Sequence, residues 1–189
     1  MLNQSKAFSY LNFFLILSFT ILLLRIILNI HIGLPLHFDE AQYWDWSQNL
    51  DWGYFSKPPL LAFLIRVVTE LCGNGENCIR SLSPFLHFLT SLIIFYSVYL
   101  LTKSFKKALL GSFLYLLMPG ISFSSFLIST DVPLLLFSSL IALCIIKIFN
   151  SKKNTFLLFC LLGFFFALGF LSKYAIFYLL LSFLFSIVI

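Results

Sequence analysis

Charge is what this sequence has least of. Only 10% of its 189 residues are Asp, Glu, Lys or Arg, against about 25% in an average soluble domain. With 61% hydrophobic and 19% aromatic residues, no water-soluble fold of this size hides so much Phe, Leu and Ile, and the bilayer is the solvent for most of the chain. A small-x-small cleavage site is missing after the first apolar run, 11–30, and that run exceeds the roughly 7–15 residues of a cleavable signal. It therefore reads as an uncleaved signal-anchor and first span. The net charge of +5 is not gathered into a basic patch, so nucleic acid is not an expected partner. A Gly-rich phosphate loop is also missing, and no nucleotide-sugar site is expected. Cysteine is scarce, and the spacing of Cys72 and Cys78, with no histidine nearby, is a poor zinc pattern. There is no internal repeat and no low-complexity linker.

What remains is organised by apolar runs. Six are readable, at about 11–31, 82–102, 107–124, 132–149, 155–171 and 174–189. Each approaches the ~20 residues that cross the hydrocarbon core, and in lipid such segments must be helical. The expected fold is an all-α polytopic membrane protein of about six transmembrane helices, with amphipathic interfacial helices in the first loop. The chain divides into an N-terminus and first helix (1–31), an outer loop (32–81) and transmembrane helices two to six (82–189). It stops at Ile189 inside an apolar run, so a C-terminal part is expected to be missing.

The loops alternate in sign. Lys6, Lys103, Lys106, Lys107, Lys147, Lys152 and Lys153 fall at one face, which the positive-inside rule makes cytoplasmic. All seven acids, Asp39, Glu40, Asp45, Asp51, Glu70, Glu76 and Asp131, fall in the first and third loops, on the opposite face. That segregation suggests a polar site there. The stretch from Pro58 to Leu71 carries Arg66, Thr69 and Glu70 on one narrow edge, which suits a helix lying in the membrane interface. Residues about 38–50 suit a second, shorter one. Trp44, Trp46 and Trp52 also lie in this loop, at the depth Trp favours.

Within the first loop, Phe38-Asp39-Glu40-Ala41-Gln42-Tyr43-Trp44-Asp45-Trp46 and Asp51-Trp52-Gly53-Tyr54-Phe55-Ser56-Lys57-Pro58-Pro59 bring acids, a lysine and aromatics together. A carboxylate there can take a proton from an acceptor hydroxyl, and a lysine can hold a phosphate as a compact point charge. The plainer reading is a solvated loop with an aromatic belt. Asp131 precedes an apolar run with Pro133 in its first turn, which makes it a good N-cap; a site role is compatible with that. Lys173, between two apolar runs, is either a snorkelling loop lysine or a cation of the site. Arg25, Asn29 and His31 close the first span and are expected to snorkel outward, with donor phosphate the sharper alternative. His87 reads as a packed histidine, and Cys144 and Cys160 as small core residues. Cys72 and Cys78 are either a disulfide closing a tight turn or two free thiols.

The Asp39-Glu40-Ala41 and Tyr54-Phe55-Ser56-Lys57-Pro58-Pro59 stretches resemble the first outer loop of the C-type glycosyltransferases, in the group of protein O-mannosyltransferases and lipid A aminoarabinose transferases. Ser129-Thr130-Asp131-Val132-Pro133 and Gly169-Phe170-Leu171-Ser172-Lys173-Tyr174 resemble two later elements of that family. The resemblance implies a membrane glycosyltransferase that moves a sugar from a polyprenyl-phosphate donor to a lipid, glycan or protein acceptor, with its site on the outer, periplasmic face of a bacterial inner membrane. It assigns catalytic roles to Asp39 and Asp131, and substrate binding to Glu40, Tyr43, Tyr54, Lys57 and Lys173. Gln42 stands where the aminoarabinose enzymes carry Arg, and Ser56 where they carry Glu. No cofactor is implied with certainty, and a divalent metal stays open. The competing readings are a transporter or flippase segment and an inactive remnant of the enzyme.

Overall fold

The computed structural model describes residues 4–151 and 155–188. Lys152, Lys153, the side chain of Lys6 and Ile189 lie outside the described residues. Every regular element among the described residues is an α-helix: α1 (Gln4–Ile32), α2 (Phe38–Gln48), α3 (Leu60–Cys72), α4 (Glu76–Thr102), α5 (Phe105–Leu117), α6 (Pro119–Ser124), α7 (Asp131–Asn150), α8 (Phe156–Ser172) and α9 (Ile176–Val188). The chain is an all-α polytopic membrane protein. Among the described residues, three stretches are long and apolar enough to cross a bilayer, Phe8–Ile32, Glu76–Thr102 and Asp131–Asn150. At 17 residues, α8 rises about 25 Å, short of the ~30 Å core.

The expected third span is broken. Pro119 has no N–H to donate, and it pushes the residue before it out of the helical region. Met118 accordingly sits at φ −57° and ψ 129°, between α5 and α6. A helix end inside a membrane leaves carbonyls without partners, and α1 supplies donors. Arg25 donates to the Leu116 carbonyl and, at 3.2 Å, to Ser122 Oγ. Asn29 Nδ2 donates to the Ser125 carbonyl at 3.2 Å. Arg25 and Asn29 are therefore buried rather than snorkelling, because the broken helix offers them acceptors that water would otherwise provide; His31 is exposed. His87 packs by the same logic, with Nδ1 2.8 Å from Tyr115 Oη and Nε2 3.1 Å from Ser124 Oγ.

The core has two parts. At the end that carries the acids, Tyr43, Leu61, Ile65, Ile79, Ile128 and Val132 belong to one buried cluster. At the other end Phe14 stacks on Phe95, centroids 4.3 Å apart, beside Ala108. The two short helices α2 and α3 cover the acidic end. The inward face of α3 buries Leu61, Ala62, Ile65 and Thr69, while Arg66 and Glu70 pair on its exposed face at 2.7 Å. Thr69 therefore leaves the polar edge expected for it, its hydroxyl satisfied by the Arg66 carbonyl at 3.0 Å. Cys72 and Cys78 are joined by a disulfide across the α3–α4 turn.

Candidate functional site at the acidic end of the bundle

The site residues come from three places: α2 with the loop after it, the α6–α7 connector, and the α8–α9 turn. In α2, Asp39 and Glu40 are neighbours in sequence and part company in space. Asp39 is exposed and Glu40 is buried. The Glu40 carboxylate accepts from Arg80 Nη2 at 2.6 Å and from the backbone N–H of His37 at 2.8 Å and of Ile128 at 2.9 Å. One turn further on, Tyr43 is buried. Burial pushes its phenol above the ordinary value, the nearby Asp39 and Asp131 carboxylates push the same way, and the Thr130 hydroxyl beside it pulls against them. Tyr43 thus stays neutral between two acids that lie far apart in the sequence.

Asp131 opens α7, and Thr130 is the residue that precedes the helix. Asp131 therefore sits in the first turn instead of capping it, where a negative charge suits the helix dipole. Its Oδ1 accepts from Lys173 Nζ at 2.7 Å. Lys173 follows the end of α8 in extended backbone, φ −159°. Gly169 eases that turn: a Cβ there would stand 3.0 Å from Ile176 Cγ1, so any other residue requires the Ile176 side chain to give way where α9 starts beside α8.

The loop after α2 is braced by Tyr54. Its ring lies flat on Trp46, centroids 4.5 Å apart and planes at 2°. Its hydroxyl donates to the Trp46 carbonyl at 2.9 Å and accepts from Asp51 N–H at 3.1 Å. The Tyr54 N–H meets the Lys57 carbonyl at 3.3 Å, which closes the turn that presents Lys57. Lys57 then faces Lys173 across an open cleft of about 530 Å³, whose walls include Ser56, Tyr174, Phe177 and Tyr178. Two cations and two phenols in the walls of an otherwise largely apolar cleft suit an anionic headgroup on an apolar carrier.

The structure thus brings Lys57 and Lys173 to one cleft and pairs Lys173 with Asp131, while the Asp131 and Asp39 carboxylates both act electrostatically on Tyr43. Tyr54 stands behind Lys57 and does not line the cleft, and the Glu40 carboxylate points into the protein. Among the described residues, no three or more His, Cys, Asp and Glu side chains gather as a metal-holding group. Arg80, Thr130 and Tyr178 were missed by the sequence reading. The sign rule could have singled out Arg80, a cation on the face that rule spares.

Comparison with known proteins bears on what this arrangement is. Residues 56–189 match the family described as dolichyl-phosphate-mannose-protein mannosyltransferase. The match includes Lys57, Asp131 and Lys173 and begins after Asp39 and Tyr54. A lipid A galacturonosyltransferase, RgtD of Rhizobium johnstonii, is 36% identical over 126 residues, which cover 66% of this chain and 26% of that relative. The match thus spans about a quarter of the relative's length. No solved structure matches. The family match covers more than half of the chain, and the chain belongs to the dolichyl-phosphate-mannose-protein mannosyltransferase family.

Proposed function

We propose that this chain supplies the donor-binding and acid–base residues of a membrane glycosyltransferase whose donor is a polyprenyl-phosphate-linked sugar. The observation that carries the reading is the cleft joining Lys57 to Lys173, with Asp131 paired to Lys173 at 2.7 Å. A phosphate ester leaves readily when cations already stand where its charge develops, because preorganised charge needs no reorganisation during the reaction. In the proposed step Asp39 takes the proton of an acceptor hydroxyl. The hydroxyl oxygen bonds to the anomeric carbon as the bond from that carbon to the phosphate oxygen breaks. Polyprenyl phosphate leaves with the electron pair, held by Lys57 and Lys173. Asp131 orients Lys173, and Tyr54 braces the turn that carries Lys57.

The acceptor is a lipid, glycan or protein. Similarity to a lipid A galacturonosyltransferase favours a lipid. The segregation of acids from lysines and the Cys72–Cys78 disulfide support a site on an oxidising outer face, the periplasmic side of a bacterial inner membrane.

Transfer of a labelled sugar from polyprenyl phosphate to membrane acceptors tests this. Asp39→Asn is expected to lower kcat by about 100-fold or more, the usual scale for losing a general base. Lys57→Ala is expected to raise the donor KM. Transfer that neither substitution changes overturns the assignment.

A further inference from the structure

Glu40 has no free valence for a ligand. Its Oε1 accepts from Ile128 N–H at 2.9 Å and Arg80 Nε at 3.0 Å, and its Oε2 accepts from His37 N–H at 2.8 Å and Arg80 Nη2 at 2.6 Å. The Arg80 guanidinium is equally committed, reaching the Leu34 carbonyl at 2.6 Å and the Pro35 carbonyl at 2.8 Å. Both side chains are at most 5% exposed. Three segments distant in sequence meet on this one pair: the entry to α2, the start of α4, and the α6–α7 connector. Ile128, the connector's contact, lies three residues before Asp131.

We propose that Glu40 and Arg80 are a positioning pair. They fix the α6–α7 connector, and with it Thr130 and Asp131, against Tyr43 and Asp39, and they touch neither donor nor acceptor. The pair acts on specificity of geometry more than on stability. A buried ion pair adds little net stability over apolar residues of the same volume, whereas removing one partner strands the other charge. What the pair does supply is a fixed geometry. Two backbone N–H groups on one carboxylate define where the connector sits, and a bidentate guanidinium fixes that carboxylate in turn. Apolar packing around Ile128 and Val132 gives no such directionality. The functional meaning of the pair rests on the site proposed above; its geometric claim does not.

Thiol cross-linking of the full chain in membranes tests the claim without requiring transfer. One cysteine pair, Tyr43→Cys with Thr130→Cys, reports the site. A second, Phe14→Cys with Phe95→Cys, reports the opposite end, where the native rings stack. Each is read by mass spectrometry of the cross-linked peptides, in the parent and with Glu40→Gln or the milder Arg80→Lys added. The site pair is expected to cross-link about tenfold more slowly in both variants, equivalent to about 1.4 kcal/mol against the native approach, with the distant pair unchanged. Where transfer is measurable, kcat should fall about 100-fold, the scale of an ångström-sized misplacement, with donor KM little changed. Three results would overturn the proposal: site cross-linking at the parent rate, equal loss at both pairs, or a raised donor KM at constant kcat. If the parent itself shows no transfer, the glycosyltransferase reading fails while the cross-linking still decides this one.

Discussion

Asp131 and Lys173 stand 42 residues apart in sequence and 2.7 Å apart in space. Both side chains are partly exposed, at 53% and 34%, so the pair is screened by water. Exposed pairs of this kind contribute about 0–1 kcal/mol. A role in the fold alone therefore predicts little consequence from breaking it, and a role in catalysis predicts much. Asp131→Asn is expected to leave thermal unfolding in detergent nearly unchanged while transfer falls by at least about tenfold, the equivalent of 1.4 kcal/mol of lost transition-state stabilisation. A fall in unfolding temperature matched to the fall in transfer would mean that the pair only holds α7 to α8.

How much of this was legible beforehand follows the range of each interaction. Lys173 drew attention as a cation between two apolar runs and Lys57 as the lysine among the acids and aromatics of the first loop, and a local pattern suffices for both. Helix α3 was legible from the polar edge at Arg66 and Glu70 and from the Pro58-Pro59 start, and α2 only as a second, shorter helix over about 38–50. Glu40 was read as a ligand because the family resemblance rests on the Asp39-Glu40 pair as a unit. Adjacent helical residues point about 100° apart, and which one turned inward was decided by Arg80, forty residues on. The third span read as continuous because its hydropathy is continuous; Pro119 breaks it through a missing N–H, which hydropathy does not register. Arg25 was placed at the surface for want of visible acceptors, and those acceptors exist only because that break exposes them.

The disulfide gives a test of topology that is independent of activity. Cys72 and Cys78 close a short loop between α3 and α4, and chain entropy alone makes such a cross-link worth roughly 2 kcal/mol. Intact cells treated with a maleimide that does not cross membranes should label neither cysteine until a reductant is added, and both afterwards. Labelling without reductant would mean that the two cysteines are accessible but not joined, and no labelling even after reduction would put the loop, and the site with it, on the cytoplasmic side.

The environment of Tyr43 predicts an alkaline limit to stability. Its folded-state pKa is raised from the ordinary value of 10.0, so the folded protein holds this proton more tightly than the unfolded chain does. The stability linked to it is fully present below about pH 10 and is lost as pH rises through the folded pKa. Tyr43→Phe should flatten the loss of thermal stability above pH 10 relative to the parent, with the two curves parallel below it. Parallel curves throughout would show that the phenol titrates as it would in water.

Gly169 stands at the turn that presents Lys173, where α8 gives way to α9. A Cβ on Gly169 would meet Ile176 Cγ1 at 3.0 Å and Cδ1 at 3.1 Å, and Phe137 Cβ at 3.5 Å. The two closest atoms belong to one flexible side chain, so Gly169→Ala asks Ile176 to move, whereas Gly169→Val brings further methyl groups against the Phe137 side as well. Overpacking of this kind typically costs about 1–3 kcal/mol. Gly169→Ala should be rescued by Ile176→Val, since that change removes the Cδ1 contact, and the double-mutant cycle should show a coupling of about 0.5 kcal/mol or more. Gly169→Val should be rescued less, and its loss of transfer should exceed its loss of stability, because α9 can yield only by carrying Tyr174 and Tyr178 away from Lys57. Additive behaviour in the cycle would mean that α8 and α9 do not meet at this turn.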